Sequence, residues 1–177
     1  MRVIAGSAKG RRLTAPKGDA TRPTSDRVRE ALFSILGDRV QDAAVLDLFA
    51  GTGALGIEAL SRGAATALFC DTAPAAQAAL RTNLAGFDGA QTTRRPARAV
   101  LQDARERARQ YDLVFLDPPY AAAPELGAEL GEAVAAVLAP DGLVVSESDR
   151  RAPLDLLTLR TTDERRYGDT LIRLHAH

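Results

Sequence analysis

From residue 43 to the C-terminus the chain alternates short unbroken apolar runs with longer segments whose apolar residues recur three and four positions apart. The short runs read as strands buried on both faces, and the longer period reads as helix. Strands are expected near 43–48, 65–70, 91–95 and 112–116, with helices near 54–62, 73–85, 97–108 and 124–138. Two or three further strands are expected in 142–148, 154–162 and 169–175. This alternation predicts an α/β fold, a mostly parallel sheet with helices on both faces. Ligands of such sheets bind beyond the carboxyl ends of the strands.

Before residue 43 the pattern differs. Arg2 to Ala5 and Arg11 to Ala15 read as two short strands joined through Gly6 and Gly10, a small hairpin. Pro16 to Thr24 is a linker punctuated by Pro16, Gly18 and Pro23. Residues 1–24 thus form a basic hairpin and linker, and 25–177 the α/β domain. That domain opens with a helix capped by Thr24 or Ser25, with Val28, Leu32, Ile35 and Leu36 as its apolar face. Arg27 and Arg29 sit in its first turn, where the helix dipole disfavours cations, so an external anion is expected there.

At 177 residues and 46% hydrophobic composition, one sizeable core is possible. The net charge is zero, yet residues 1–30 hold eight Lys or Arg against three Asp or Glu, while 121–149 hold six acidic residues and no basic one. The basic end is therefore a candidate for phosphate, a solvated arm being the alternative. A single cysteine, Cys70, excludes an internal disulfide, a cysteine zinc site and an iron–sulfur cluster, and the chemistry of the loop at 117–120 requires no metal. His175 and His177 lie at the extreme C-terminus and suit no evident catalytic role. No apolar run approaches the roughly 20 residues of a membrane span and no signal peptide is visible, which predicts a cytoplasmic protein.

Two stretches carry chemistry. Val45 to Ala59 reads VLDLFAGTGALGIEA, a strand, a turn with Gly51, Gly53 and Gly56, and a helix start. Gly51 and Gly53 let the backbone approach a nucleotide-like ligand. Asp47 precedes the turn, where an anion is poorly placed for pyrophosphate but well placed for a ligand with a cationic centre and an amino group. S-adenosylmethionine is such a ligand. Asp71 ends the next strand, 24 residues after Asp47, where a carboxylate accepts ribose hydroxyls; Asp71 and Thr72 are equally placed to cap the following helix.

The second stretch is DLVFLDPPY, residues 112–120. Pro118 and Pro119 fix the backbone and remove two N–H donors, leaving a rigid loop rich in acceptors. Asp117 and the Pro118 carbonyl are suited to accept hydrogen bonds from an exocyclic amine, and Tyr120 to stack on the base that bears it. These bonds pull the amine lone pair out of the ring and stabilise positive charge on nitrogen.

MRVIAGSAKGRRL, TRPTSDRVREALFSIL, VLDLFAGTGALGIEALSRGA, LVFLDPPY and YGDTLIRL together make the chain resemble, over essentially its full length, the bacterial RsmD family of 16S rRNA guanine-N2 methyltransferases. The resemblance implies a Rossmann-like class I methyltransferase with a seven-stranded sheet, its last strand antiparallel. It implies S-adenosylmethionine as donor and the N2 amine of one 16S rRNA guanine, the 966-type position, as acceptor. The partner would be an assembled or nearly assembled small ribosomal subunit, with adjacent ribosomal proteins part of the recognised surface. By position, Asp47, Phe49, Gly51 and Gly53 would line the methionine side of the donor, and Asp71 and Thr72 the ribose side. Asp117, Pro118, Pro119 and Tyr120 would hold the guanine, and Lys9, Arg11, Arg12, Arg22, Arg27 and Arg29 would meet RNA phosphates. Pro96 or Ala97 stands where the family commonly has an acid for adenine, leaving backbone groups or Asp103 for that task. Cys70-Asp71 replaces a pair ending in Glu.

A nicotinamide oxidoreductase leaves Asp47 and the DPPY loop unexplained. A DNA adenine-N6 methyltransferase shares the loop chemistry but would need a target-recognition insert absent here, and a non-catalytic RNA-binding protein would bind no donor.

Overall fold

The computed structural model describes residues 1–16, 25–119 and 123–177. Seven strands form one sheet in the order β3-β2-β1-β4-β5-β7-β6. In chain order the elements are α1 (Asp26–Leu36), a 3₁₀ turn (Gly37–Val40), β1 (Ala44–Leu48), α2 (Ala54–Ser61), β2 (Thr66–Cys70), α3 (Pro74–Asn83) and β3 (Ala90–Thr93). They continue with α4 (Ala97–Glu106), β4 (Tyr111–Leu116), α5 (Ala123–Ala135), β5 (Leu138–Asp149), β6 (Arg160–Tyr167) and β7 (Thr170–Ala176). Strands β1 to β5 run parallel, and β7 lies antiparallel between β5 and β6. The chain order reverses between β1 and β4, so the crevice for a ligand opens beyond their carboxyl ends.

Side-chain alternation divides the core in two. Val45, Phe69, Leu113, Phe115, Val145 and Ile172 pack on one face with Leu32 and Phe33 of α1, Leu55 and Ile57 of α2 and Leu80 of α3. Leu46, Leu48, Cys70, Val114, Leu116 and Val144 face the other way, against Val100 and Leu101 of α4 and Leu130 and Val134 of α5. Both faces of the parallel strands are thus covered, which is why they read as unbroken apolar runs.

The structure departs from the sequence reading in three places. The expected strand at 154–162 is a loop whose Leu154, Leu156 and Leu159 plug the second core, and β6 begins only at Arg160. Gly127 and Gly131 of α5 admit this loop, since a Cβ at Gly127 would stand 2.7 Å from the Asp155 carbonyl oxygen. Instead of two strands, the N-terminal hairpin makes one isolated antiparallel bridge, Arg2 to Arg12, with Val3 and Leu13 inserted into the first core. In α1 the Ser25 hydroxyl accepts the Val28 N–H as expected, but Phe33 and Arg29 turn inward and Ile35 is exposed. Thr24, like the rest of 17–24, lies outside the described residues.

Candidate active site

The turn between β1 and α2 is built on left-handed backbone, with Phe49 at φ 64°, Gly51 at 55° and Gly53 at 79°. Its glycines do different work. A Cβ at Gly51 would meet nothing nearer than the Phe49 carbonyl oxygen at 4.0 Å, so this glycine borders open space. A Cβ at Gly53 would press on Leu80 at 2.8 Å, and one at Gly56 would stand 2.3 Å from Phe69, so these two let α2 close on the core. Spacing alone assigns Gly53 the same ligand-facing role as Gly51; its missing side chain instead makes room for Leu80, Ile57 and Phe69. Phe49 is half-buried against the second core.

Asp47 lies under this turn, 2% exposed, with Oδ2 accepting the Gly56 N–H at 3.0 Å. Burial pushes its carboxyl up to about 7, the Gly56 bond opposes the shift, and Asp71 adds to it. A desolvated carboxylate of this kind is relieved by a cation, so the residues present fit a cationic donor. Asp71, at the end of β2, accepts the Gly51 N–H at 2.8 Å and the Ala73 N–H at 2.9 Å, tying the glycine turn to the start of α3. Thr72 is exposed beside it. After β3, no acid takes the expected adenine position among the described residues of 94–97. Asp103 is the seventh residue of α4 and is paired with Arg95 and Arg107.

At the end of β4, Pro118 is buried and Pro119 exposed, while Tyr120 lies outside the described residues. Burial, then the charges of Glu147 and Asp47, hold the Asp117 carboxyl well above the usual carboxylate range. Glu147 on β5 is a residue the sequence reading missed. Its signal was a charged residue at an inward position of the strand run LVVSES, where burial on both faces is otherwise the rule. Among the described residues no group of metal-ligating side chains is assembled.

The N-terminal arm lies against the outer ends of α2 and α3. Glu58, buried in α2, accepts the N–H groups of Ile4 at 2.7 Å and Ala5 at 3.0 Å. The Ser61 hydroxyl donates to the Ala5 carbonyl and accepts the Ala8 N–H. The Asn83 carboxamide, at the end of α3, accepts the Thr14 N–H and donates to the carbonyls of Thr14 and Thr52. None of these three was foreseen, because a polar residue in an amphipathic helix reads as solvent-facing until something covers it.

Lys9, Arg12 and Arg27 are exposed, and Arg11 lies over the Phe87 ring at 5.0 Å. Arg22 falls outside the described residues. Arg29 corrects the expectation placed on it: it is 0% exposed, donating to the Arg2 carbonyl at 2.5 Å and to Asp26 at 2.8 Å. It fastens the arm to α1 and faces no solvent anion. Its Nε and Nη1 find no hydrogen-bond partner among the described residues.

The family model described as conserved hypothetical protein 95 matches residues 1–176. A putative rRNA methyltransferase of Bacillus subtilis, YlbH, is 38% identical over 180 residues, covering 99% of this chain and 98% of that protein. The ribosomal RNA small subunit methyltransferase D of Escherichia coli K12 is 41% identical over 124 residues, 68% of this chain and 60% of that enzyme. Among solved structures, the Escherichia coli putative methyltransferase yhhF superposes with a TM-score of 0.82 at 34% identity, covering 100% of this chain and 99% of that one. A hypothetical protein of Thermus thermophilus gives 0.86 at 30% identity with the same coverage.

Proposed function

Because the chain belongs to the conserved hypothetical protein 95 family and is homologous to the bacterial RsmD methyltransferases, as a class I S-adenosylmethionine-dependent enzyme, we propose that it methylates the exocyclic N2 amine of one guanine in 16S rRNA. Its substrate is the assembled or nearly assembled small subunit in the cytoplasm. The observation that carries this reading is the acceptor loop Asp117-Pro118-Pro119, which leaves β4 beside the Asp47 turn of β1.

S-adenosylmethionine would supply an electrophilic methyl group on a sulfonium, whose S–C bond breaks as the N–C bond forms, leaving the neutral thioether S-adenosylhomocysteine. Asp47 and the Gly51 turn hold its amino-acid end, and Asp71 and Thr72 its ribose. The ionised Asp117 and the Pro118 carbonyl accept the two N2 hydrogens, which turns the nitrogen lone pair toward the incoming methyl. The same acceptors stabilise positive charge on nitrogen, and the proton then leaves to Asp117 or to water. Lys9, Arg12 and Arg27 meet phosphate from the docked arm and the start of α1, with Arg11 beside them on Phe87.

The test is transfer of labelled methyl from S-adenosylmethionine to undermethylated small subunits, with free rRNA and double-stranded DNA in parallel, followed by nucleoside analysis. N2-methylguanosine appearing mainly from subunits is expected. N6-methyladenine from DNA would overturn the substrate, and donor binding with no transfer to any of the three would overturn the activity.

A further inference from the structure

Glu147 takes no part in the steps above, yet it is 3% exposed on β5, a strand inside the sheet. The β4–β5 register pairs Phe115 with Val145 and Leu116 with Ser146, so the next step brings Asp117 level with Glu147 on strands about 4.8 Å apart. Phe115, Val145 and Ile172, which pairs with Glu147 from β7, all belong to the first core. Strand alternation therefore turns Asp117 and Glu147 to that same face, as it does Asp47 on β1.

Two acceptors side by side match one base edge better than the others. Guanine presents N1–H next to its N2 amine, a row of donors, whereas adenine presents a bare N1 lone pair next to its amine. An ionised carboxylate is acceptor only, so it pairs with the first edge and repels the second. We propose that Glu147 reads the target base as guanine, accepting N1–H while Asp117 accepts the neighbouring N2–H. This deepens the guanine-N2 reading and rests on it. Guanine in turn offers the two adjoining carboxylates the hydrogens that relieve their mutual repulsion.

The test uses reconstituted small subunits carrying guanine or 2-aminopurine at the target position. 2-Aminopurine keeps the amine to be methylated but has a bare N1. The parent should prefer guanine by at least about 100-fold in kcat/KM. Glu147→Gln should lose most of its rate on guanine, and because its carboxamide can donate to a bare N1, the preference should narrow by at least about tenfold. Donor affinity, measured alongside, should stay within about threefold and report an intact fold. Equal losses on the two bases overturn the proposal, as would a parent that methylates both within about threefold of each other, a result that needs no variant. A parent that transfers methyl to no guanine N2 would instead overturn the reading beneath it.

Discussion

Asn83 and Thr14 meet as two strands of a sheet would: Asn83 Oδ1 accepts the Thr14 N–H at 2.8 Å, and Nδ2 donates back to the Thr14 carbonyl at 2.9 Å. The same Nδ2 reaches the Thr52 carbonyl at 2.9 Å, so one side chain joins the arm to the glycine turn after β1. Asn83→Ala leaves all three backbone groups to find other partners, at a cost of about 1–3 kcal/mol. Amide hydrogen exchange should show lost protection at Thr14 and its neighbours well before global unfolding. Protection equal to the parent would show that the arm is held elsewhere.

Gly6 is the tightest point of the arm. Its φ is 82°, and a Cβ there would lie 1.7 Å from the Ser61 carbonyl oxygen. Gly6→Ala should displace the hairpin from α2 and weaken subunit binding by about tenfold or more, with donor affinity nearly unchanged. Parallel titrations with donor and with subunits check this, and equal weakening of both would contradict it.

Asp47, proposed to face the donor, also bears on stability. Its carboxyl titrates at about 7 folded and near 3.8 unfolded, so between those values the unfolded chain gives up a proton that the folded one keeps. Stability contributed by this group is full below about pH 4, falls as pH rises, and is gone above about pH 7. Asp47→Asn should therefore be more stable than the parent at about pH 8, by up to roughly 4 kcal/mol, with the gap closing toward pH 4. S-adenosylmethionine affinity should drop at least about tenfold. Denaturation at the two pH values, with a donor titration, measures both; a variant less stable at pH 8 would contradict the burial argument.

In the proposed mechanism Asp117 must be ionised to accept the amine, and burial with Glu147 and Asp47 raises its titration. The rate constant kcat/KM should rise with pH through an inflection well above the ordinary carboxylate range. Glu147→Gln should move that inflection down, because it removes a neighbouring charge. Asp117→Ala should cut transfer at least about 100-fold while donor affinity holds within about threefold. A pH profile flat from about pH 5 to 9 would sink the ionisation argument.

The exposed cations of the arm and the buried Arg29 of α1 should part company. Lys9→Glu with Arg12→Glu should weaken subunit binding and flatten its salt dependence by about one in log–log slope per lost phosphate contact. Arg29→Met should leave the salt slope alone and act on stability and arm docking. Identical salt slopes for parent and the Lys9, Arg12 double variant would mean that the arm is merely solvated.

The parallel half of the sheet was legible because its strands are covered on both faces and its helices carry a regular apolar period. The stretch Asp155 to Leu159 was not, because a loop that plugs a core and a strand share the same apolar run. Asp47, Asp71 and Asp117 could be picked out by their place at strand ends. Glu58, Asn83 and Arg29 could not, since each also grips backbone groups of residues 2–14, and long-range pairing of that kind leaves no local pattern. Glu147 was hidden among small polar residues in an otherwise apolar strand.

The arm is fastened through its main chain: Glu58, Ser61, Asn83 and Arg29 all grip N–H or carbonyl groups, which any amino acid except proline supplies in full. Mutation can therefore exchange Lys9 or Arg12 for other side chains without undocking the hairpin. The surface that carries Lys9 and Arg12 is free to vary in chemistry, while the anchor beneath it stays constant.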